Sequence, residues 1–178
     1  MVQTAIINDL EILGHDYLRE DSQINDYKQY LYQASQLFID KFNQHTAVVE
    51  LLHARSYCID CILTHLWHKF MANFDQQLSL IAVGGYGHNE LHPHSDIDLL
   101  ILYPDKLSGF DEPLQLFIVS LWDIGLKIGH SVRSLTDCIS LAKNDITIAT
   151  NLMESRPIVG NADLFIQMQQ LTGPEHIW

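Results

Sequence analysis

Two aspartates, Asp96 and Asp98, stand two residues apart at the start of an apolar run that ends at Tyr103. In a β-strand, side chains two apart point to the same face, so both carboxylates are expected on one side of a buried strand. Carboxylates beside a hydrophobic run are costly without a counter-charge. Mg²⁺ supplies that charge and prefers carboxylate, water and phosphate oxygens. The pair therefore predicts a metal site suited to phosphoryl displacement.

A pair of glycines precedes these aspartates by a short distance. Gly84 and Gly85 close the apolar run 78–83, and the ten residues 86–95 separate them from Asp96. Without Cβ atoms, a glycine backbone can approach a triphosphate closely, and N–H groups at a following helix start favour anions. We expect Gly84 and Gly85 to contact nucleotide phosphates, with Ser95 as a further candidate.

The order strand, Gly-Gly, ten residues and Asp-x-Asp resembles the DNA polymerase β-like nucleotidyltransferase superfamily. Four ordered blocks resemble, more specifically, the N-terminal domain of the bifunctional PII uridylyltransferase/uridylyl-removing enzymes. They are Val-Gly-Gly-Tyr-Gly (83–87), Glu-Leu-His-Pro-His-Ser-Asp-Ile-Asp-Leu-Leu (90–100), Gly-His-Ser-Val-Arg (129–133) and Ala-Thr-Asn-Leu-Met-Glu-Ser-Arg (149–156). The resemblance covers most of residues 24–170.

This resemblance implies an enzyme that transfers UMP from UTP to a tyrosine hydroxyl of the trimeric nitrogen-signalling protein PII, with Mg²⁺. It assigns metal binding and catalysis to Asp96 and Asp98, and the nucleotide phosphates to Gly84 and Gly85. Arg133 lies near the end of the third predicted strand, where it would face the triphosphate or form a surface ion pair. The family's uridylyl-removing HD domain and glutamine-sensing ACT domains would lie beyond residue 178, so neither activity is expected within these residues.

Two departures from the family pattern leave alternatives open. The family usually reads Gly-Tyr-Gly-Arg-Gly-Glu-Leu, whereas this chain has His88 and Asn89 in place of Arg-Gly, so a fixed positive charge is missing. The superfamily commonly adds a third carboxylate on a later strand, and residues 127–133 contain none. A non-catalytic nucleotide- or PII-binding fragment, or a nucleotidyltransferase acting on a small molecule, are therefore the alternatives.

Other polar residues near these motifs have two interpretations each. His92 and His94 flank Pro93 and either touch phosphate or metal, or take a structural role, which we favour. Tyr86 either stacks on a base or packs on the helical pair described below. Glu154 and Arg156 are expected to pair with each other or with a helix end.

A string of possible zinc ligands, Cys58, Cys61, His65 and His68, falls on one predicted helix. A straight helix cannot wrap four ligands at these spacings around one tetrahedral ion. We interpret this stripe as helix-packing surface.

Composition bounds the classes of protein that remain. The 178 residues are 47% hydrophobic and 18% charged, which is typical of one compact domain and excludes disordered and fibrous classes. The net charge of −12 repels nucleic acid. No apolar run approaches the roughly 20 residues of a membrane span, and no signal peptide is recognised. The odd number of cysteines, three, favours a reduced, cytoplasmic chain.

The hydrophobic periodicity predicts an α+β chain of the polymerase β-like nucleotidyltransferase fold, with a small mixed sheet of about three to five strands. We divide it into a loosely ordered segment (1–22), a helical pair (23–76) and a nucleotidyltransferase core (77–178) that is compact with the pair. Thr46 is the expected N-cap of the second helix of the pair. Strands are predicted at 78–83, 98–103 and 127–135, helices at 114–126, 137–143, 146–153 and 163–171, and an extended link at 156–159.

Overall fold

The computed structural model describes residues 5–177, with side chains as far as Glu175. It confirms a mixed α and β architecture, in which helices cover both faces of a small sheet. The helices are α1 (Ala5–Tyr17), α2 (Ile24–Asn43), α3 (Val48–Met71), α4 (Gly84–Gly87), α5 (Asp111–Ile124), α6 (Leu135–Asn144), α7 (Ile146–Met153), α8 (Ala162–Leu171) and α9 (Pro174–Ile177). The strands are β1 (Ser79–Ala82), β2 (Ile97–Tyr103), β3 (Ile128–Ser134) and β4 (Arg156–Gly160).

The four strands form one mixed sheet in the order β3-β2-β1-β4. β1 runs antiparallel to both β2 and β4, whereas β2 and β3 are parallel. The two inner strands are the most apolar, as expected of strands covered on both faces. The end of β1 therefore meets the start of β2, where Ala82 pairs with Leu99.

Each face of the sheet has its own hydrophobic core. On one face, Leu80, Leu99 and Ile101 pack with buried residues of α1, α2, α3 and α5. On the other face, Leu100 and Leu102 pack with residues of α6, α7 and α8. Because side chains alternate along a strand, Asp98 lies on the same face as Leu100 and Leu102. It stands at the end of that face, next to the second core.

The N-terminal helices differ from the sequence prediction in two places. Where a loosely ordered segment was expected, α1 has thirteen residues, and its Ile6 and Leu10 are buried in the first core. Thr46 is not the N-cap of α3, since Ala47 occupies that position without a side-chain cap. The Thr46 N–H instead bonds the Lys41 carbonyl at 3.1 Å, so Thr46 completes the turn that ends α2.

The region after β2 follows the prediction closely, with one addition. Ser134 caps α6, because its Oγ accepts the Asp137 N–H at 3.1 Å, and the helix starts two residues earlier than expected. The predicted link at 156–159 is a fourth strand of the sheet. β4 lies at the edge, where Pro157 is tolerated. Among the described residues no helix is long and apolar enough to cross a bilayer.

Candidate nucleotide and metal site

The predicted carboxylates lie together at the start of β2. Asp98 is the second residue of the strand and Asp96 directly precedes the strand. Both are exposed, and Asp98 stands between the buried residues Ile97 and Leu99. Partial burial raises the pKa of Asp98, and the negative charge of Asp96 raises it further. The charge of Asp96 thus disfavours the ionisation of Asp98. Such a pair is stabilised by a cation placed between the carboxylates.

Glycines flank the Asp98 carboxylate on two sides. Gly129 pairs with Asp98 across the parallel strands, and a Cβ at Gly129 would overlap Asp98 Oδ1. A Cβ at Gly84 would lie 3.5 Å from Asp98 Oδ2. The carboxylate therefore lies in a cradle that only glycine leaves open on the β3 side. Sequence reasoning gave no role to Gly129, although an isolated glycine inside a strand pattern is a signal of close approach.

The glycine turn is held against the same aspartate by the backbone. The Val83 N–H donates to the Asp98 carbonyl at 3.1 Å, directly before the turn. Gly84 has φ +61°, a left-handed conformation that favours glycine, and it opens the four-residue helix α4. Gly85 is exposed at this edge. The structure therefore brings Gly84, Gly85 and Asp98 to one place.

Of the two other residues predicted to contact the nucleotide, Ser95 lies near the carboxylates and Arg133 lies far from them. Ser95 is exposed and directly precedes Asp96, with its N–H bonded to the His92 carbonyl at 3.1 Å. Arg133 pairs with Leu102, four positions along β3 from Gly129, which is about 13 Å of strand. The charge of Arg133 acts on the Cys138 thiol of α6, where it lowers a pKa that burial raises more strongly. Only Ser95 is adjacent to the carboxylates.

The histidines around the site do not form a metal centre with the aspartates. His92 and His94 are exposed in the loop 88–96. Among the side chains of residues 5–175, no three of His, Cys, Asp or Glu are placed to share an ion. His88 lies with Nε2 at 3.2 Å from Glu154 Oε2. Glu154 thus contacts His88 rather than Arg156, which pairs with Asp60 of α3. Asp60 was not among the predicted residues.

Two further expectations are settled by packing. Tyr86 is 2% exposed and donates its hydroxyl hydrogen bond to Asp60, so it packs on α3 and does not face an incoming base. Cys58 is buried in the first core, and His65 Nδ1 lies 2.8 Å from Tyr27 Oη. Both α3 residues therefore take part in helix packing.

The donor set fits a magnesium ion. Mg²⁺ is commonly bound by one or two carboxylates, with water and substrate phosphates completing its coordination. Asp96 and Asp98 would supply the two carboxylates, and Gly84 and Gly129 leave space beside that of Asp98. The charge of Asp96 beside Asp98 favours a bound cation. When bound, Mg²⁺ would neutralise charge that develops on the phosphate oxygens during transfer.

Comparison with known proteins agrees with this geometry. Residues 66–146 match the family model of the nucleotidyltransferase domain. The match begins in α3 and ends at the start of α7, so it contains the glycine turn, both aspartates and Gly129. The fold and this match together indicate a nucleotidyltransferase domain.

The chain is also similar to longer proteins of a specific kind. It is 41% identical over 160 residues to the bifunctional uridylyltransferase/uridylyl-removing enzyme of Pseudomonas aeruginosa strain UCBPP-PA14. It is 44% identical over 161 residues to the enzyme of that name from Aliivibrio fischeri strain MJ11, and 43% over 160 residues to that of Azotobacter vinelandii. Each alignment covers 89% of this chain and 18% of the relative, so the chain spans about a fifth of their length. The resemblance predicted from the four motifs is confirmed.

Proposed function

We propose that this chain transfers UMP from UTP to a tyrosine hydroxyl of PII in the cytoplasm, using Mg²⁺. The observation that carries the proposal is the Asp96–Asp98 pair beside the glycine turn, in a chain 41–44% identical to uridylyltransferases. UTP and PII enter through that family resemblance. The acidic balance, a net charge of −12, supports a protein acceptor over a nucleic acid.

In this proposal each residue acts by position and charge. Asp96 and Asp98 would hold Mg²⁺, which would neutralise charge on the phosphate oxygens. The Gly84 and Gly85 backbone and the Ser95 hydroxyl face those oxygens. Arg133, further along β3, is the candidate for the far end of the triphosphate. The tyrosine oxygen bonds to the α-phosphorus as the bond to the bridging oxygen breaks. Pyrophosphate leaves, and the phenolic proton passes to solvent.

The test is transfer of labelled UMP from UTP to purified PII in the presence of Mg²⁺. Asp96→Asn/Asp98→Asn removes both metal ligands and should lower the rate by at least about 10³-fold, since metal-assisted charge stabilisation supplies several kcal/mol. Asp16→Asn/Asp123→Asn is the matched control, because it changes net charge equally at two exposed carboxylates elsewhere. Retained transfer in the first double variant would refute the assignment.

A second candidate function is a non-catalytic module that binds nucleotide or PII. It is favoured by one observation: within residues 5–177 no third acidic side chain joins Asp96 and Asp98. Magnesium-dependent UTP binding by the wild-type chain, with no label on PII, would support it. Replacing PII by small hydroxyl compounds in the same assay tests a nucleotidyltransferase with a small acceptor.

A further inference from the structure

A polar cluster lies behind the glycine turn, on the side away from the carboxylates. Tyr86 of α4 donates its hydroxyl hydrogen bond to Asp60 of α3. Arg156, the first residue of β4, donates from Nη1 to Asp60 Oδ2 at 2.8 Å and from Nη2 to Oδ1 at 3.1 Å. Its guanidinium carbon lies 5.3 Å from the centre of the Tyr86 ring. Three elements distant in sequence therefore meet on one carboxylate.

The charges within this cluster balance. Burial raises the pKa of Tyr86, and the Asp60 carboxylate raises it further, so the phenol stays a neutral donor. Burial lowers the pKa of Arg156, but the hydrogen bonds and charge of Asp60 outweigh that effect and raise it overall. The Arg156 guanidinium and the Tyr86 phenol thus keep the same protonation across neutral pH. The arrangement is a fixed support and not a pH switch.

The same segment of chain also contacts the end of the turn. The backbone of Gly87 lies against the Glu154 carbonyl, so closely that a Cβ at Gly87 would overlap it. His88 Nε2 lies 3.2 Å from Glu154 Oε2. Residues 154–156 therefore contact three consecutive residues of the turn, 86–88, and leave Gly84 and Gly85 at the site edge.

We propose that Asp60, Tyr86 and Arg156 form a positioning cluster, which fixes the backbone of the glycine turn in the geometry that receives nucleotide phosphates. The proposal rests on the nucleotide-binding role proposed for that turn. The three side chains lie on the side of the turn away from the carboxylates. They are positioning residues, because they act on the nucleotide only through the backbone of residues 84–87. Removing only the Tyr86 hydroxyl should therefore weaken nucleotide binding more than it weakens the fold.

Tyr86→Phe is the principal variant, since it keeps the ring and removes only the hydroxyl that reaches Asp60. Tyr57→Phe is the matched control, because it removes a phenol hydroxyl that donates to another carboxylate, Glu11 Oε1, at 3.1 Å. Amide hydrogen exchange of the nucleotide-free proteins is read for the peptide 84–90. We expect exchange about tenfold faster in Tyr86→Phe and unchanged in Tyr57→Phe.

Nucleotide affinity is the second measurement, made with Mg²⁺ and each of the four common ribonucleoside triphosphates. We expect Tyr86→Phe to raise the dissociation constant of the bound nucleotide about tenfold. The melting temperatures of Tyr86→Phe and Tyr57→Phe should fall by similar amounts. Unchanged exchange and unchanged affinity in Tyr86→Phe would overturn the positioning proposal. Arg156→Lys keeps the charge but loses the two-pronged hydrogen bond, and it is measured in the same way if Tyr86→Phe does not fold.

The two proposals fail in different ways. If the wild-type chain binds none of the four nucleotides, the proposed function fails, and the exchange measurement still decides whether the cluster fixes the turn. If the wild-type chain binds nucleotide, the proposed function stands. If Tyr86→Phe then binds nucleotide equally well and its peptide 84–90 exchanges amide hydrogen at the same rate, the positioning role is refuted.

Discussion

Two acidic groups flank the same glycine turn, and the structure treats them in opposite ways. Asp60 is bonded on both oxygens by Arg156 and Tyr86, inside the fold. Asp96 and Asp98 face each other's charge, and among the described residues no cationic side chain forms an ion pair with either. The first group stabilises the protein as it stands. We propose that the second is completed by a cation from solution.

This contrast separates structural from functional carboxylates without reference to any relative. A half-buried carboxylate with a bidentate arginine, such as Asp60, has its charge compensated, so its removal should damage the fold. A carboxylate whose pKa is raised by burial and by a like charge is held there at a cost to stability, which is typical of a binding site. The three predictions below test this contrast.

Removal of the compensated carboxylate should have the largest effect. Asp60→Ala leaves the Arg156 guanidinium and the Tyr86 hydroxyl without their partner, so the free energy of unfolding should fall by about 3 kcal/mol. Urea denaturation measures it. Asp21→Ala is the control: its exposed carboxylate lies 3.9 Å from Arg19 Nε, and its loss should change stability by no more than about 0.5 kcal/mol. Equal losses in the two variants would show that the cluster does not stabilise the fold.

Filling the space that Gly129 leaves beside the Asp98 carboxylate should have the next largest effect. In Gly129→Ala, the new methyl group would overlap Asp98 Oδ1, so the carboxylate must move. Displacement of a metal ligand by about 1 Å should lower the rate of UMP transfer by about 10²-fold. Steady-state transfer to PII measures it.

Gly14→Ala is the control for that substitution, because its Cβ would meet the nearest atom, Leu18 Cδ1, at an ordinary 3.9 Å. Alanine also favours a helix over glycine, so this variant should be slightly more stable and fully active. Full activity in Gly129→Ala would contradict the placement of Asp98 in the metal site.

Local patterns in the sequence predicted most of the secondary structure. The sequence pattern placed α7 at Ile146–Met153, with the bounds that the structure shows. An unbroken apolar run placed β2 within one residue. β4 was predicted only as an extended link, because Arg156 and Pro157 interrupt the pattern and nothing local shows that it pairs with β1. Pairing with a distant strand is a property of the assembled sheet.

The same distinction between local patterns and distant contacts applies to the candidate site. Asp96, Asp98 and the two glycines of the turn are close in sequence, so their spacing predicted that they would meet. Asp60 and Arg156 are 96 positions apart, and no local signal links them. The cradle glycine, Gly129, is intermediate: its position in a strand pattern signals a close approach, but only the register of β2 and β3 shows that the neighbour is Asp98.

The smallest expected effect concerns stability without metal. Because burial and Asp96 raise the pKa of Asp98 above its ordinary value of 3.8, the folded protein binds this proton more tightly than the unfolded chain does. The contribution of Asp98 to stability therefore falls as pH rises from 3.8 through the raised pKa. Asn does not titrate, so Asp98→Asn should be more stable than wild type at pH 7, by no more than about 0.5 kcal/mol, and the difference should shrink towards pH 4.

Magnesium tests this last comparison further, because it should make the wild-type protein more stable than Asp98→Asn. Mg²⁺ with nucleotide at a hundred times its dissociation constant would stabilise the wild-type protein by about 2.7 kcal/mol, whereas Asp98→Asn has lost a ligand and should gain far less. Thermal melting with and without Mg²⁺ and UTP measures both. Equal gains in the two proteins would place the cation elsewhere, and Asp98 would then be, like Asp60, a carboxylate of the fold.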